Sequence, residues 1–152
     1  MTDPVRFAPA RPGDAAAMRD LARRAYALYV TRIGREPAPM GADYEVIAGS
    51  GTATLGWAGE TLVAMMVTVG RADALEIENL AVDPAWQSAG VGSTLLVRAE
   101  ELARAAGMSR LTLYTNEAMT ENLAYYPRRG FVEVDRRTED GYRRVYFGRS
   151  LA

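Results

Sequence analysis

Apolar residues follow two different periods within residues 75–107, and this change predicts a strand followed by a helix. Leu75 to Val82 is rich in Leu, Ile and Val, which favours a largely buried β-strand. Asp83-Pro84 ends the strand, because proline lacks the N–H that a sheet ladder needs. From Val91 the apolar positions recur at helical spacing, up to a terminating Gly107. The predicted helical stripe consists of Val91, Leu95, Leu96, Ala99, Leu102, Ala103 and Ala106.

Shorter strands and helices, separated by glycine, proline and charged turns, make up the rest of the chain. Further strands are predicted from Val5 to Ala8, Thr52 to Ala58, Thr61 to Val69, Leu111 to Thr115, Phe131 to Arg137 and Tyr142 to Arg149. Further helices are predicted from Asp14 to about Val30, Asp43 to Ala48 and Ala118 to Tyr126. Because a helix joins the strands at Leu75 and Leu111, those two strands are predicted to be parallel, with a right-handed crossover. The pattern indicates an α/β fold, a mixed sheet with helices on both faces.

The first helix carries two predicted local interactions. Asp14 is a suitable N-cap, and Asp20 is spaced to form an ion pair with Arg24 on the same helix. The helix is followed by a loop from Thr31 to Met40, because glycine and prolines there block regular structure.

A glycine loop of sequence Gln-x-x-Gly-x-Gly, from Gln87 to Gly92, precedes the long helix. The first turn of a helix has N–H groups without acceptors and a partial positive charge, so such a loop suits a phosphate group. The pattern differs from the P-loop, which ends in Gly-Lys-Ser/Thr, and from the dinucleotide fingerprint, which has a third glycine. Taken alone, it fits a phosphate cradle and an ordinary strand-to-helix turn equally well.

Composition narrows the function classes. The 152 residues predict a single domain, 1–152, with a core supported by 49% apolar residues. A net charge of −1 argues against a nucleic-acid partner, which needs a basic surface. With no cysteine and no histidine, we expect no disulfide and no metal, and any catalysis must use carboxylates, Tyr, Ser/Thr, backbone or water.

The first ten residues, MTDPVRFAPA, lack the basic start and apolar centre of a signal peptide. No apolar run approaches the roughly 20 residues that a membrane helix needs. We therefore expect a cytoplasmic protein with no membrane partner.

Four motifs between Ile77 and Phe131 resemble those of the GCN5-related N-acetyltransferase (GNAT) superfamily, in its order and spacing. They are Ile-Glu-Asn-Leu-Ala-Val-Asp-Pro from Ile77, Gln-Ser-Ala-Gly-Val-Gly from Gln87, Leu-Tyr-Thr-Asn ending at Asn116, and Asn-Leu-Ala-Tyr-Tyr-Pro-Arg-Arg-Gly-Phe from Asn122. The C-terminal half resembles the family strongly and the N-terminal half only in outline. The resemblance implies a mostly antiparallel sheet of six to seven strands, whose central parallel strands splay apart. It also implies acetyl-CoA as cosubstrate and an amine as acceptor.

The same resemblance implies roles for individual residues. The main chain of Leu80, Ala81 and Val82 would pair with the pantetheine arm. The pyrophosphate would lie on the loop and first helical turn formed by Gln87, Ser88, Ala89, Gly90, Val91, Gly92 and Ser93. The amides of Asn116 and Asn122 are candidates to bind the pantetheine amides, although either can equally be a helix cap. Many relatives carry an asparagine seven residues before the site tyrosine, where this chain has Met119.

Three side chains are candidates for proton transfer. Tyr126 aligns with the family's tyrosine near the thioester sulfur, and a phenol can protonate a departing thiolate. Its alternative is a tyrosine of the core at a helix end. Glu76 and Glu78 alternate with Ile77, so both lie on one strand face, where a carboxylate can accept the proton of the amine. Their alternative is a solvated strand edge.

The acceptor is not specified by the sequence. The segment from Thr31 to Ala48 corresponds to acceptor-binding elements of relatives, and it is either that or a solvated loop. Its polar candidates are Arg32, Arg35, Glu36, Asp43 and Tyr44. Arginines of the last hairpin alternate with Glu and Asp, which indicates a mixed surface.

Two function hypotheses follow. The first is an acetyl-CoA-dependent N-acetyltransferase that transfers the acetyl group directly to a primary amine of a small molecule or peptide. A route through an acyl-cysteine is excluded, because the chain has no cysteine. The second is a non-catalytic acyl-CoA sensor or protein-interaction module of the same fold. A homodimer is compatible with both, because the last hairpin offers strand edges for pairing.

Overall fold

Seven β-strands and five α-helices form the ordered elements of residues 4–151, which the computed structural model describes. In chain order they are β1 (Val5–Pro9), α1 (Ala15–Tyr26), α2 (Tyr29–Ile33), α3 (Tyr44–Gly49), β2 (Ala53–Ala58), β3 (Thr61–Gly70), β4 (Ala74–Val82), α4 (Val91–Ala105), β5 (Arg110–Asn116), α5 (Thr120–Arg128), β6 (Val132–Glu139) and β7 (Tyr142–Ser150). Short 3₁₀ turns lie at Pro12–Asp14, Ala38–Gly41 and Pro84–Trp86.

The strands join in one sheet, in the hydrogen-bonded order β1-β2-β3-β4-β5-β7-β6. The ladders β1·β2, β2·β3, β5·β7 and β6·β7 are antiparallel, whereas β4 and β5 are parallel. This confirms the predicted mixed α/β sheet and its parallel crossover. The β4·β5 ladder joins four residue pairs, from Ala74 with Arg110 to Ile77 with Leu113. The predicted splaying of the two strands beyond this ladder stays a prediction.

The chain divides into two compact units. The first, here the N-terminal unit, comprises residues 4–68 and Asn79–Arg98, and its buried residues include Met18, Leu21, Leu55, Val63 and Met66. β3 is buried over seven successive residues, as a central strand requires. Gly56 in β2 is needed for close packing, since a Cβ atom there would lie 3.1 Å from side-chain atoms of Phe7 and Val5.

Three predictions for the first helix are corrected. It is not continuous to Val30, because α1 ends at Tyr26 and α2 starts at Tyr29. The Asp14 side chain does not cap α1, since its Oδ2 accepts a hydrogen bond from the Arg11 N–H at 2.8 Å. Arg24 does not pair with Asp20, because Asp83 lies 3.0 Å from its Nε and holds it instead.

The second, C-terminal unit comprises Val69–Glu78 and residues 99–151, and its buried residues include Leu111, Leu113, Phe131, Val145 and Phe147. Asp140 and Gly141 both have positive φ (53° and 81°), which gives the β6–β7 hairpin a tight turn with the right-handed twist of the strands. Two positions of the predicted helical stripe are exposed rather than buried: Leu102 of α4, and Ala106, which lies just beyond the end of that helix.

The last helix differs from its predicted limits. α5 runs from Thr120 to Arg128 rather than from Ala118 to Tyr126, and Pro127 lies within its last turn. The helix stops where Gly130 turns to φ 89° and the Phe131 N–H bonds the carbonyl of Tyr126 at 3.2 Å. None of the described helices is both long enough and apolar enough to span a bilayer.

Candidate functional site

The predicted phosphate cradle lies at the start of α4 in the N-terminal unit. Asp83 follows β4 and caps the next turn, because its Oδ1 accepts a hydrogen bond from the Ala85 N–H at 2.9 Å. The chain then turns at Gly90, whose φ is 78°, and α4 begins at Val91. A Cβ atom on Gly90 would meet no atom within 4 Å, so it is the backbone conformation that requires glycine there.

The residues of the loop face solvent, from Gln87 to Gly90, while Val91 is buried. The first described helical hydrogen bond at this end runs from the Thr94 N–H to the Gly90 carbonyl, at 3.1 Å. The N–H groups of Val91 and Gly92, in the first turn, therefore have no acceptor in the helix. A left-handed glycine followed by such N–H groups forms a concave anion-binding site.

One ion pair holds the beginning of this loop. Arg24 of α1 contacts Asp83 Oδ2 through its Nε at 3.0 Å and donates from Nη2 to the Leu62 carbonyl at 2.9 Å. The pair fixes the turn after β4. It also compensates the carboxylate charge of Asp83 at the start of the loop, which would otherwise repel an anion.

The main-chain groups predicted to bind pantetheine are partly engaged within the unit. The Leu80 carbonyl accepts from the Tyr26 hydroxyl at 3.2 Å, and the Val82 carbonyl lies 3.5 Å from Gln87 Nε2. Ala81 is buried, with 3% of its surface exposed. The role of the three residues in coenzyme binding stays a prediction.

A buried polar network under β4 was missed by sequence reasoning. Asn79 is 8% exposed, and its Oδ1 accepts from the Tyr26 hydroxyl at 2.6 Å while its Nδ2 donates to the Tyr44 hydroxyl at 3.1 Å. Tyr44 in turn donates to the Pro39 carbonyl. Tyr44 is fully buried, so it does not offer an exposed group to an acceptor, as the sequence suggested it could. The available signal was an asparagine at a position that strand alternation places on the same face as the apolar Ile77 and Ala81.

The two candidate carboxylates lie in the C-terminal unit, on the same face of β4. Arg71 Nη2 lies 3.1 Å from Glu76 Oε1, whereas Glu78 is exposed. The hydrogen bond that Arg71 donates to Glu76, the charge of Glu76 and, more weakly, the charge of Glu78 raise the pKa of Arg71. Glu76 is thus already neutralised by a cation, and Glu78 is the carboxylate that faces solvent.

Tyr114 on β5, which sequence reasoning did not single out, stands beside these carboxylates. Burial raises the pKa of the Tyr114 phenol, the charge of Arg144 lowers it, and the charges of Glu78 and Glu76 raise it further. Tyr114 lies opposite Tyr146 in the β5·β7 ladder, with ring centroids 5.4 Å apart. The sheet face on which Tyr114 lies therefore carries acidic, aromatic and basic groups in turn.

Both predicted amides of this unit make local hydrogen bonds. Asn116 Oδ1 accepts from the Ala118 N–H at 2.9 Å and thereby closes the turn into α5. Asn122 Nδ2 donates to Thr115 Oγ1 at 3.0 Å and approaches Met119 Sδ at 3.7 Å. Met119, where many relatives carry asparagine, is 5% exposed.

Tyr126 lies near the C-terminal end of α5 with 6% of its surface exposed. Its ring contacts Tyr125, Phe131 and Phe147, with centroid distances of 5.4, 5.8 and 5.8 Å. The aromatic contacts fix the orientation of the ring and serve a core role and a catalytic role equally well.

Comparison with known proteins shows similarity to one protein family in sequence and to several solved structures in fold. The model of the Acetyltransferase (GNAT) family matches residues 15–131, most of the chain. The structure is similar to that of PaiA N-acetyltransferase from Thermoplasma acidophilum in complex with coenzyme A (16% identity, TM-score 0.77, covering 97% of this chain and 99% of that one). It is also similar to the ribosomal-protein-S18-alanine N-acetyltransferase of Escherichia coli (20% identity, TM-score 0.76, covering 98% and 95%). No curated protein sequence gives a significant match.

Proposed function

Because the chain belongs to the GNAT acetyltransferase family, we propose that it transfers an acetyl group from acetyl-CoA directly to a primary amine of a small molecule or peptide. Acetyl-CoA is the cosubstrate of the family, and one structural neighbour was solved with coenzyme A. The observation that carries the proposal is the exposed, left-handed Gly90 directly before the first turn of α4. Its geometry suits the diphosphate of the coenzyme.

The cradle binds through main-chain N–H groups, from the loop after Gln87 to the first turn of α4. A side chain at position 90 would strain the backbone at its positive φ of 78°, which is why glycine serves there. The ion pair of Arg24 with Asp83 removes the nearest described carboxylate charge from competition with the diphosphate.

Direct transfer is the route that fits the composition, since the chain has no cysteine to hold an acyl group. The amine nitrogen attacks the thioester carbonyl carbon, the new N–C bond forms and the C–S bond breaks. One proton leaves the acceptor amine for a base, and the departing thiolate takes a proton from an acid. We assign the acid role to the Tyr126 phenol, as its place before Gly130-Phe131 in the family motif supports.

Glu78 is the better of the two candidate bases. Its carboxylate is exposed and can reach an incoming ammonium group directly or through water. Glu76 Oε1 lies 3.1 Å from Arg71 Nη2, and protonation of Glu76 would break that ion pair. Glu76 then serves mainly to position Arg71.

Calorimetric titration with acetyl-CoA, combined with turnover over a broad amine panel, tests the proposal. Saturable binding together with acetylation of at least one primary amine is expected. Binding without turnover across the panel would instead favour the acyl-CoA sensor. Absence of binding would overturn both readings.

We also propose that the protein forms a homodimer through β6, the edge strand of the sheet. Val132 and Val134 are 66% and 64% exposed there, which an isolated edge strand usually avoids. Sedimentation equilibrium should show a dimer that Val134→Lys dissociates. A monomeric parent protein would refute this assembly.

A further inference from the structure

Arg144 on β7 is a nearly buried arginine that makes cation–π contacts and one long ion pair, but no described side-chain hydrogen bond within residues 4–151. Its side chain is 12% exposed, the lowest value among the arginines with a described ion pair. The guanidinium carbon lies 4.4 Å from the centroid of the Tyr114 ring and 5.7 Å from that of Tyr142. Its described ion pair, from Nη1 to Glu139 Oε1, measures 3.7 Å, which is too long for a hydrogen bond. Within residues 4–151 no hydrogen bond of the Arg144 side chain is described.

The neighbouring arginines of the same hairpin are satisfied. Arg137, which faces Arg144 in the β6·β7 ladder, donates to Asp135 Oδ2 at 2.8 Å. Arg136 donates to both carboxylate oxygens of Glu133, at 2.9 and 3.0 Å. A guanidinium has several N–H donors, and keeping them from water without acceptors is costly. Arg144 is therefore the exception among these arginines, and a bound ligand would supply the acceptors that its N–H groups lack.

Arg144 lies on the same face of the sheet as the candidate base. Side chains alternate along a strand, so Glu78 of β4, Tyr114 of β5 and Arg144 of β7 lie on one side of the C-terminal unit. The charges of Arg144 and Glu78 act on the same Tyr114 phenol with opposite sign. A carboxylate and a guanidinium thus flank one aromatic ring.

The aromatic rings on this face are already covered by cations. Arg144 lies over Tyr114, and Arg137 lies 4.0 Å from the centroid of Tyr146. A further cation would be repelled from these rings, whereas an anion would find a guanidinium that the rings hold in place. An acceptor would then place its ammonium group at Glu78 and its acidic group at Arg144.

We propose that Arg144 is a specificity-determining residue that binds an oxyanion of the acceptor, so that the substrates are amines carrying a carboxylate or phosphate. The inference rests on the proposed acetyltransferase function and names its substrate class. The planar guanidinium can bind either group through two parallel hydrogen bonds. When an oxyanion replaces Glu139 as the partner of Arg144, Glu139 still has a cationic partner, because Arg137 Nε lies 3.3 Å from Glu139 Oε1.

Matched amines that differ in the acidic group provide the test. β-Alanine is compared with propylamine, and phosphoethanolamine with ethanolamine, for kcat/KM under saturating acetyl-CoA. The parent enzyme should prefer the acidic member of at least one pair by about 10- to 100-fold, the value of one charge-assisted hydrogen bond. The pair with the larger ratio distinguishes carboxylate from phosphate.

Variants at position 144 test whether the preference for acidic amines depends on Arg144. Arg144→Gln should abolish the preference, and Arg144→Lys should keep part of it, because lysine retains charge without the bidentate geometry. Arg143→Gln is the matched control, since Arg143 is adjacent but 80% exposed, and it should leave the preference unchanged. An unchanged preference in Arg144→Gln, or a parent enzyme that favours neutral amines, would overturn the proposal.

Direct binding separates this inference from the proposed function. Titration of phosphoethanolamine and β-alanine into the protein with coenzyme A, followed by NMR, requires no turnover. Binding that Arg144→Gln weakens at least tenfold is expected, which corresponds to about 1.4 kcal/mol. Equal binding by parent and variant would refute the role of Arg144 even if no amine were acetylated.

Discussion

Asn79 donates a hydrogen bond from its Nδ2 to the hydroxyl of Tyr44, at 3.1 Å, in the interior of the N-terminal unit. The Tyr44 hydroxyl donates its single proton to the Pro39 carbonyl, so it can only accept a hydrogen bond from Asn79. Tyr26 completes the chain by donating to Asn79 Oδ1 at 2.6 Å. The network ties the segment around Pro39, which the sequence associates with acceptor binding, to β4.

Replacing Tyr44 by phenylalanine should weaken the fold and flatten its alkaline pH dependence. Burial raises the pKa of Tyr44 to about 12, against the lowering effects of the Asn79 hydrogen bond and the Arg19 charge. The folded chain thus holds this proton more tightly than the unfolded chain, whose tyrosine has a pKa of 10.0. The resulting stability is complete below pH 10 and is lost as the pH rises towards 12, by an amount on the order of 2–3 kcal/mol.

Urea unfolding of parent and Tyr44→Phe over this pH range measures the effect. At neutral pH the variant should lose about 1–2 kcal/mol, because Asn79 and Pro39 lose a partner. The difference in free energy of unfolding should shrink as the pH rises. Parallel curves for the two proteins would show that Tyr44 ionises normally.

Gly90→Ala should impair coenzyme binding beyond its effect on folding. The positive φ of 78° makes alanine strained by about 1–2 kcal/mol. Gly107, just after the other end of α4, has φ 73° and equally open surroundings, so Gly107→Ala is the matched control. Both variants should lose similar thermal stability, but only Gly90→Ala should weaken acetyl-CoA binding, by roughly tenfold or more in calorimetry. Equal affinities would argue against the cradle.

Tyr126→Phe should lower turnover with little change in coenzyme affinity. Phenylalanine keeps the ring contacts with Phe131 and Phe147 and removes only the hydroxyl. Loss of a general acid typically costs about 100-fold or more in kcat. Tyr125→Phe, which alters the adjacent ring, is the control and should retain most activity. If both variants keep full kcat, Tyr126 has a packing role only.

Glu78→Gln should reduce kcat/KM most strongly near neutral pH, where the acceptor amine is protonated and needs a base. The rate should recover as the pH is raised from about 7 to about 9, because more of the amine is then neutral. Glu76→Gln should have a smaller effect, since that carboxylate is held by Arg71. Profiles of kcat/KM against pH distinguish the two, and a parental profile for Glu78→Gln would exclude it as the base.

The linear pattern of the chain determined the fold class and the position of the glycine turn before α4. Strand β4, the glycine turn and α4 follow one another locally, so the spacing of apolar residues and the conformational needs of Gly90 were sufficient to predict them. The parallel pairing of β4 and β5 followed from the helix between them. These features depend on neighbours in sequence, which is why the sequence alone contained them.

Only the tertiary structure decided which polar groups meet. Arg24 pairs with Asp83, 59 positions away, rather than with Asp20 on its own helix. Tyr26, Tyr44 and Asn79 form one buried network, and Arg144 lies over Tyr114 although no motif relates them. Packing distant segments together creates such contacts, and side-chain partners are then chosen by distance and burial, which the linear order of residues does not specify.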